Sequence, residues 1–123
     1  MEARLVAKSF RELVVWQRSM ELAEVLYRLT STFPKEEIYG LRAQIRRSAV
    51  SVPSNIAEGQ GRLSTGEFRH FLGIARGSNC ELQTQLEIAR RLKMGDSRLA
   101  EEAEGLSHEV GKMIFSILQK IKD

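Results

Sequence analysis

The stretch Leu41–Arg62 constrains this chain more than any other, because one predicted helix carries two patterns at once. Apolar residues recur at Leu41, Ile45, Ala49, Val52 and Ile56, the three-and-four spacing that lines one face of an α-helix. Gln44, Arg47, Ser51, Asn55 and Glu58 recur at the same spacing beside them. A solvated face commonly mixes Lys and Glu. This ribbon instead offers amides, a guanidinium, a hydroxyl and a carboxylate, all able to make directional hydrogen bonds. Two readings stay open: a satisfied polar seam against a neighbouring helix, and a face turned to a ligand. Pro53 removes one backbone donor and predicts a kink near Ala49 rather than a stop, since the apolar pattern continues past it. Gly59 and Gly61 are expected to end the helix.

The same period organises the rest of the chain. Leu13, Trp16, Met20, Ala23 and Tyr27 form one apolar stripe, and Val15, Leu22, Leu26, Leu29 and Phe33 a second beside it. A helix with so wide an apolar face has two clients, either two internal neighbours or one neighbour and another subunit. Ser9 is a candidate N-cap for this helix, and residues 1–9 a loose lead-in to a bundle domain over 10–123. Phe33-Pro34 marks a corner. Ser64 and Glu67 have the spacing of a capping box, with Leu63 and Phe68 placed as a hydrophobic staple, so a third helix begins at Thr65. Its inward row is Phe68, Leu72, Ala75, Asn79, Leu82, Leu86 and Ala89, interrupted only by the amide. Gly73 and Gly77 each cost this helix roughly 0.8–1.0 kcal/mol of propensity, which close helix contact is expected to offset, a ligand notch being the alternative. Gly95 ends the helix, and Asp96 or Ser97 caps a fourth with the stripe Leu99, Ala103, Leu106, Val110, Met113, Ile117 and Ile121, broadened late by Ile114 and Leu118. The expected fold is therefore all-α: an antiparallel up-down four-helix bundle, with helices near 10–30, 39–58, 65–93 and 97–121. The polar ribbon is expected to meet Ser78, Asn79 and Glu81 of the third helix, because buried polar groups need partners.

Charge is unevenly spread along the 123 residues. Residues 40–93 carry nine basic side chains, eight of them arginine, against four acidic ones, a local +5 within a net charge of +3. Arginine suits bidentate contact with phosphate, and equally with structural carboxylates. Arg69, Arg76 and Arg90 lie on a seven-residue ladder whose remaining rung is Gln83. Each step rises about 10.5 Å along one helix edge, a path that a phosphate backbone can follow. Arg42 and Arg46 form an i,i+4 pair, Arg62 precedes the third helix and Arg91 extends its far end. These seven arginines are the candidate nucleic-acid contacts; the alternative is pairing with Glu67, Glu87 or the acidic fourth helix.

Catalytic chemistry finds little support. His70 and His108 stand on different helices outside any metal-ligand spacing, Cys80 has no partner cysteine, and no phosphate or dinucleotide loop follows a strand. No cofactor or metal is expected. The N-terminus shows no secretion signal and no apolar run approaches the roughly 20 residues of a membrane span, which makes the cytoplasm the expected compartment.

The segments ELVVW, FP, QIRRSAVSVPSNIAEGQGR and FLGIARGSNCELQTQL together resemble the four-helix-bundle proteins encoded within intervening sequences of large-subunit ribosomal RNA genes. The resemblance runs from about Phe10 to Leu118. For most members of that family no biochemical function is established. The family looks related to the accessory protein of diversity-generating retroelements, a homopentamer that binds nucleic acid and a reverse transcriptase. What this resemblance implies is self-association, five copies by that analogy, with RNA or DNA and a protein as further partners. A sequence-tolerant nucleic-acid binder and a homo-oligomeric interaction scaffold are thus the two functional expectations.

Overall fold

The computed structural model describes residues 9–121, which form four α-helices: α1 Val14–Thr30, α2 Leu41–Gln60, α3 Thr65–Arg91 and α4 Ser97–Lys120. Single 3-10 turns, Phe10–Glu12 and Lys35–Glu37, precede α1 and α2. Consecutive helices pack side by side and α4 closes the ring against α1, giving the expected antiparallel up-down bundle. One core runs its length, from Leu22, Leu26 and Leu29 of α1 through Ile45, Val52 and Ile56 of α2 to Phe68, Leu72 and Leu82 of α3 and Val110 and Ile114 of α4.

The helix ends show which local signals decide geometry. Ser9 does cap a helix, but it is the 3-10 turn: its Oγ accepts from the Arg11 N–H at 3.2 Å, and α1 itself starts after Leu13 with no side-chain cap. Residues 1–8 of the expected lead-in lie outside the described residues. Ser64 caps α3, accepting from the Glu67 N–H at 3.1 Å, yet the staple is absent because Leu63 is 95% exposed while Phe68 is fully buried. At the other end of α3 the stop is Lys93, not Gly95. Its φ of 56° lets the Met94 N–H reach the Ala89 carbonyl at 2.9 Å and the Lys93 N–H reach that of Arg90 at 3.1 Å, the paired bonds of a Schellman turn. Gly95, at φ 81°, serves the next step: a Cβ there would lie 2.7 Å from the Phe33 ring. Asp96 then caps α4, accepting from the Leu99 N–H at 2.9 Å.

The glycines of α2 and α3 invert their expected roles. α2 continues unbroken through the buried Pro53 and past Gly59 to Gln60, with only Gly61 beyond its end. Gly59 is a packing residue: an added Cβ would stand 2.9 Å from Phe71 Cβ and 3.1 Å from the Phe68 ring, so its bareness lets α3 approach. Gly73 and Gly77, expected to mediate such an approach, face open space, with nothing within 4 Å of an added Cβ.

Candidate interaction surfaces

Four seams between neighbouring helices decide which polar residues remain free to act. In the α2–α3 seam the ribbon is only partly consumed. Ser51 Oγ meets Ser78 Oγ at 2.7 Å, and the Asn55 amide donates to the Ser51 hydroxyl at 3.0 Å and to its carbonyl at 2.8 Å. Glu58 turns away from this cluster and pairs with Arg62 at 2.7 Å. Gln44, Arg47 and Glu81 do not close the network; with Ser48, Ser51, Ser78 and Gln85 they line an open groove of about 360 Å³. The ribbon is thus a seam along its Ser51–Asn55 segment and an accessible groove along its Gln44–Arg47 segment.

Asn79, expected to join this cluster, faces α4 instead. Its Nδ2 donates to the Ser107 carbonyl at 3.0 Å, its Oδ1 accepts from the Ser107 hydroxyl at 2.8 Å, and Gln83 donates to that same hydroxyl at 3.0 Å. The reason is angular: Asn79 belongs to the inward row of α3, whose α4-facing edge it shares with Gln83, whereas Ser78 lies one residue, about 100°, towards α2. Ser107 was not singled out from the sequence, although Ala103, Ser107 and Val110 share the core spacing and a hydroxyl there is a detectable anomaly.

The arginine ladder follows the same edge and is largely engaged with α4. Arg69 donates to the C-terminal carbonyls of Leu118 at 2.6 Å and Ile121 at 3.3 Å. Arg76 lies over the Phe115 ring at 5.6 Å, and Gln83 holds Ser107. Arg90 pairs with Glu87 at 2.6 Å; that bond first, and then the Glu104 carboxylate of α4, hold its guanidinium above the ordinary range. Arg91 shares Glu87 at 2.8 Å, and the two arginines hold that carboxyl below its usual value, Arg91 first. Arg62 adds Glu67 at 3.8 Å and stacks on Phe71 at 4.9 Å. Arg46 is committed to α1, donating to Thr30 Oγ1 at 2.8 Å, to the Tyr27 carbonyl at 3.1 Å and to Ser31 Oγ at 3.2 Å. Among the seven nominated arginines only Arg42 carries no ion pair, hydrogen bond or ring contact to a described residue.

Arg46 also locates the α1–α2 seam from outside. Its guanidinium covers the Tyr27 ring at 4.4 Å, so Tyr27 lies where α1 meets α2. Helical spacing then sets Ala23, Met20 and Trp16 along the same edge of α1, and Val50 one turn past Arg46 along that of α2. Unlike the second α1 stripe, which is buried throughout, this edge stays open in part: Met20 is 39%, Tyr27 42% and Val50 47% exposed, while Trp16 and Ala23 pack against the core. The late broadening of α4, by contrast, is taken up internally, with Ile114 fully buried and Leu118 packed on the core. On the α1–α4 side, Arg18 grips Glu109 with two bonds of 2.9 and 2.7 Å, an interhelical tie not anticipated from the sequence.

His70 and His108 are exposed on separate helices, and among the described residues no three His, Cys, Asp or Glu side chains gather as a metal site would require. No helix among these residues is long and apolar enough to cross a membrane.

Comparison with known proteins agrees with this architecture. A crystal structure of a protein of unknown function from the S23 ribosomal protein family of Bacteroides thetaiotaomicron superposes with a TM-score of 0.78 at 27% identity, covering 85% of this chain and 97% of that one. No curated protein sequence matches. The family model described as 23S rRNA-intervening sequence protein matches residues 11–116, and the chain belongs to that family.

Proposed function

We propose that the chain is a non-enzymatic, self-associating scaffold whose copies meet along the open α1–α2 edge. The observation that carries this reading is the half-exposed row of Met20, Tyr27 and Val50, which stays open after the four-helix core is complete. Scattered exposed apolar residues are ordinary, whereas several that helical spacing aligns along one edge point to an interaction surface. Trp16, packed edge-on against Phe10 at 5.1 Å, extends the row towards the start of α1. By analogy with the homopentameric accessory protein of diversity-generating retroelements, five copies are the expected number. Light scattering tests the proposal: the wild type should have a mass several times 14.0 kDa at micromolar concentration, and Val50→Glu should return it to 14.0 kDa with its helicity intact. A wild type of 14.0 kDa at that concentration refutes it.

A second reading, phosphate binding with little sequence preference, is supported by the basic middle third and by the exposure of Arg62, Arg90 and Arg91. Surface ion pairs are worth little, so these guanidiniums can exchange a carboxylate for a phosphate at small cost. Anisotropy titration of a mixed-sequence RNA at two salt concentrations tests this reading. Binding should weaken linearly in log–log form and respond to Arg62→Ala and Arg91→Ala. Absence of binding at low salt leaves the scaffold alone.

A further inference from the structure

The α2–α3 groove has two chemically opposite walls. On α2, Gln44 and Arg47 stand three residues apart on one face and present an amide and a guanidinium. On α3, Glu81 and Gln85 stand four apart and present a carboxylate and an amide. Arg47 and Glu81 form no ion pair with each other or with any described residue, although Arg18, Arg62, Arg90 and Arg91 each find a carboxylate at 2.6–2.8 Å. Gln85 lines the groove beside Glu81, its Oε1 buried without a hydrogen-bond partner. The floor is hydroxyl: Ser48, and Ser51 tied to Ser78 at 2.7 Å. The lining contains no apolar or aromatic side chain, so a lipid tail would find no apolar wall and a nucleobase no stacking face.

We propose that this groove binds a small zwitterion of the α-amino-acid class, its carboxylate on Arg47 and Gln44 and its ammonium on Glu81. Two separated charges of opposite sign match the two walls, and a groove of about 360 Å³ is of the size that holds a small molecule. An anion alone would leave Glu81 without a donor, and a cation alone would leave Arg47 without an acceptor. The site is separate from the α1–α2 edge and does not rest on the scaffold reading.

The experiment follows the side-chain amide resonances of Gln44 and Gln85 by nitrogen-15 NMR while glycine, L-serine, L-glutamine or L-arginine is added to the full chain. Expected are saturable shifts of both amides with at least one of these probes at a Kd of about 1 mM or tighter. N-acetylglycine, lacking the ammonium, and glycinamide, lacking the carboxylate, should bind about tenfold more weakly than glycine or not at all, because each empties one wall. Arg47→Gln removes the guanidinium and Glu81→Gln the negative charge, both at exposed positions, so backbone spectra should be preserved while affinity falls about tenfold. Met20→Glu, on the α1 side of the α1–α2 edge and outside the groove lining, should leave binding unchanged, which separates this outcome from that of the scaffold test. No saturable shift with any of the four amino acids overturns the proposal. So does equal binding of the blocked forms, a response to guanosine in their place, or Gln44 and Gln85 shifts that track protein concentration alone and so report a second copy in the groove.

Discussion

Replacing Asn79 by alanine should damage the α3–α4 seam and leave the α2–α3 cluster intact. Asn79 is 2% exposed and makes two hydrogen bonds to Ser107, at 3.0 and 2.8 Å. α4 comes so close there that an added Cβ at Gly111 would lie 3.2 Å from Asn79 Nδ2, leaving little freedom for the seam to collapse after truncation. Two lost bonds at about 1 kcal/mol each, plus a small cavity term, give a loss of about 2–3 kcal/mol. For a domain of this size that lowers Tm by about 10 °C. Urea unfolding followed by circular dichroism measures it, and a double-mutant cycle assigns it. Asn79→Ala with Ser107→Ala should show a coupling of about 1 kcal/mol, because both changes break the Ser107 Oγ–Asn79 Oδ1 bond, while the bond to the Ser107 backbone carbonyl is lost only with Asn79. Asn79→Ala with Ser51→Ala should be additive within about 0.5 kcal/mol. Coupling to Ser51 that exceeds coupling to Ser107 would refute the assignment of Asn79 to α4.

Glycine substitutions should have opposite signs in neighbouring helices: Gly59→Ala destabilises by about 1–3 kcal/mol through overpacking against Phe71 and Phe68, while Gly73→Ala, open on α3, stabilises by about 0.8–1.0 kcal/mol. Thermal melts of the two variants check this. Lys93→Gly should raise stability by about 1 kcal/mol, because the left-handed φ of 56° disfavours a side chain and favours glycine; a lower Tm would mean that Lys93 makes a contact outweighing its strain. Glu109, hydrogen-bonded by Arg18, should titrate below the ordinary carboxylate range in carbon-13 NMR, and Arg18→Ala should move it back up. Because the folded value is depressed, this tie adds stability above the unfolded value of about 4.3 and loses it as pH falls through the folded one.

What the sequence revealed, and what it did not, follows from the range of each interaction. Helix number and the inward rows were legible because burial repeats with the helical period: Phe68, Leu72, Ala75, Asn79, Leu82, Leu86 and Ala89 are all buried. The Ser64 cap was legible because it acts within three residues. The staple failed because whether Leu63 returns to the core depends on the path of the whole turn, not on its spacing from Phe68. The ladder itself was correctly spaced, but spacing places residues on an edge without naming what lies beside that edge. Arg69 finding the Leu118 carbonyl and Gln83 finding Ser107 are consequences of packing between segments far apart in sequence. The same limit hid the Arg18–Glu109 tie, since either residue alone looks like solvated surface. The glycines were misassigned for a related reason. Bareness at Gly59 and at Gly73 is identical in sequence, and only the facing helix distinguishes a packing glycine from an open one.

Oxidative footprinting across a concentration series tests whether copies of this chain meet along the α1–α2 edge. Met20, Trp16 and Tyr27 are the readily oxidised side chains of that edge, and Phe115, 49% exposed on α4, is an internal reference outside it. If they do, Met20 and Tyr27 become protected as concentration rises from nanomolar to micromolar while Phe115 stays equally reactive, and Val50→Glu abolishes the protection. Unchanged reactivity of Met20 and Tyr27 across that range, or protection confined to Phe115, would contradict it.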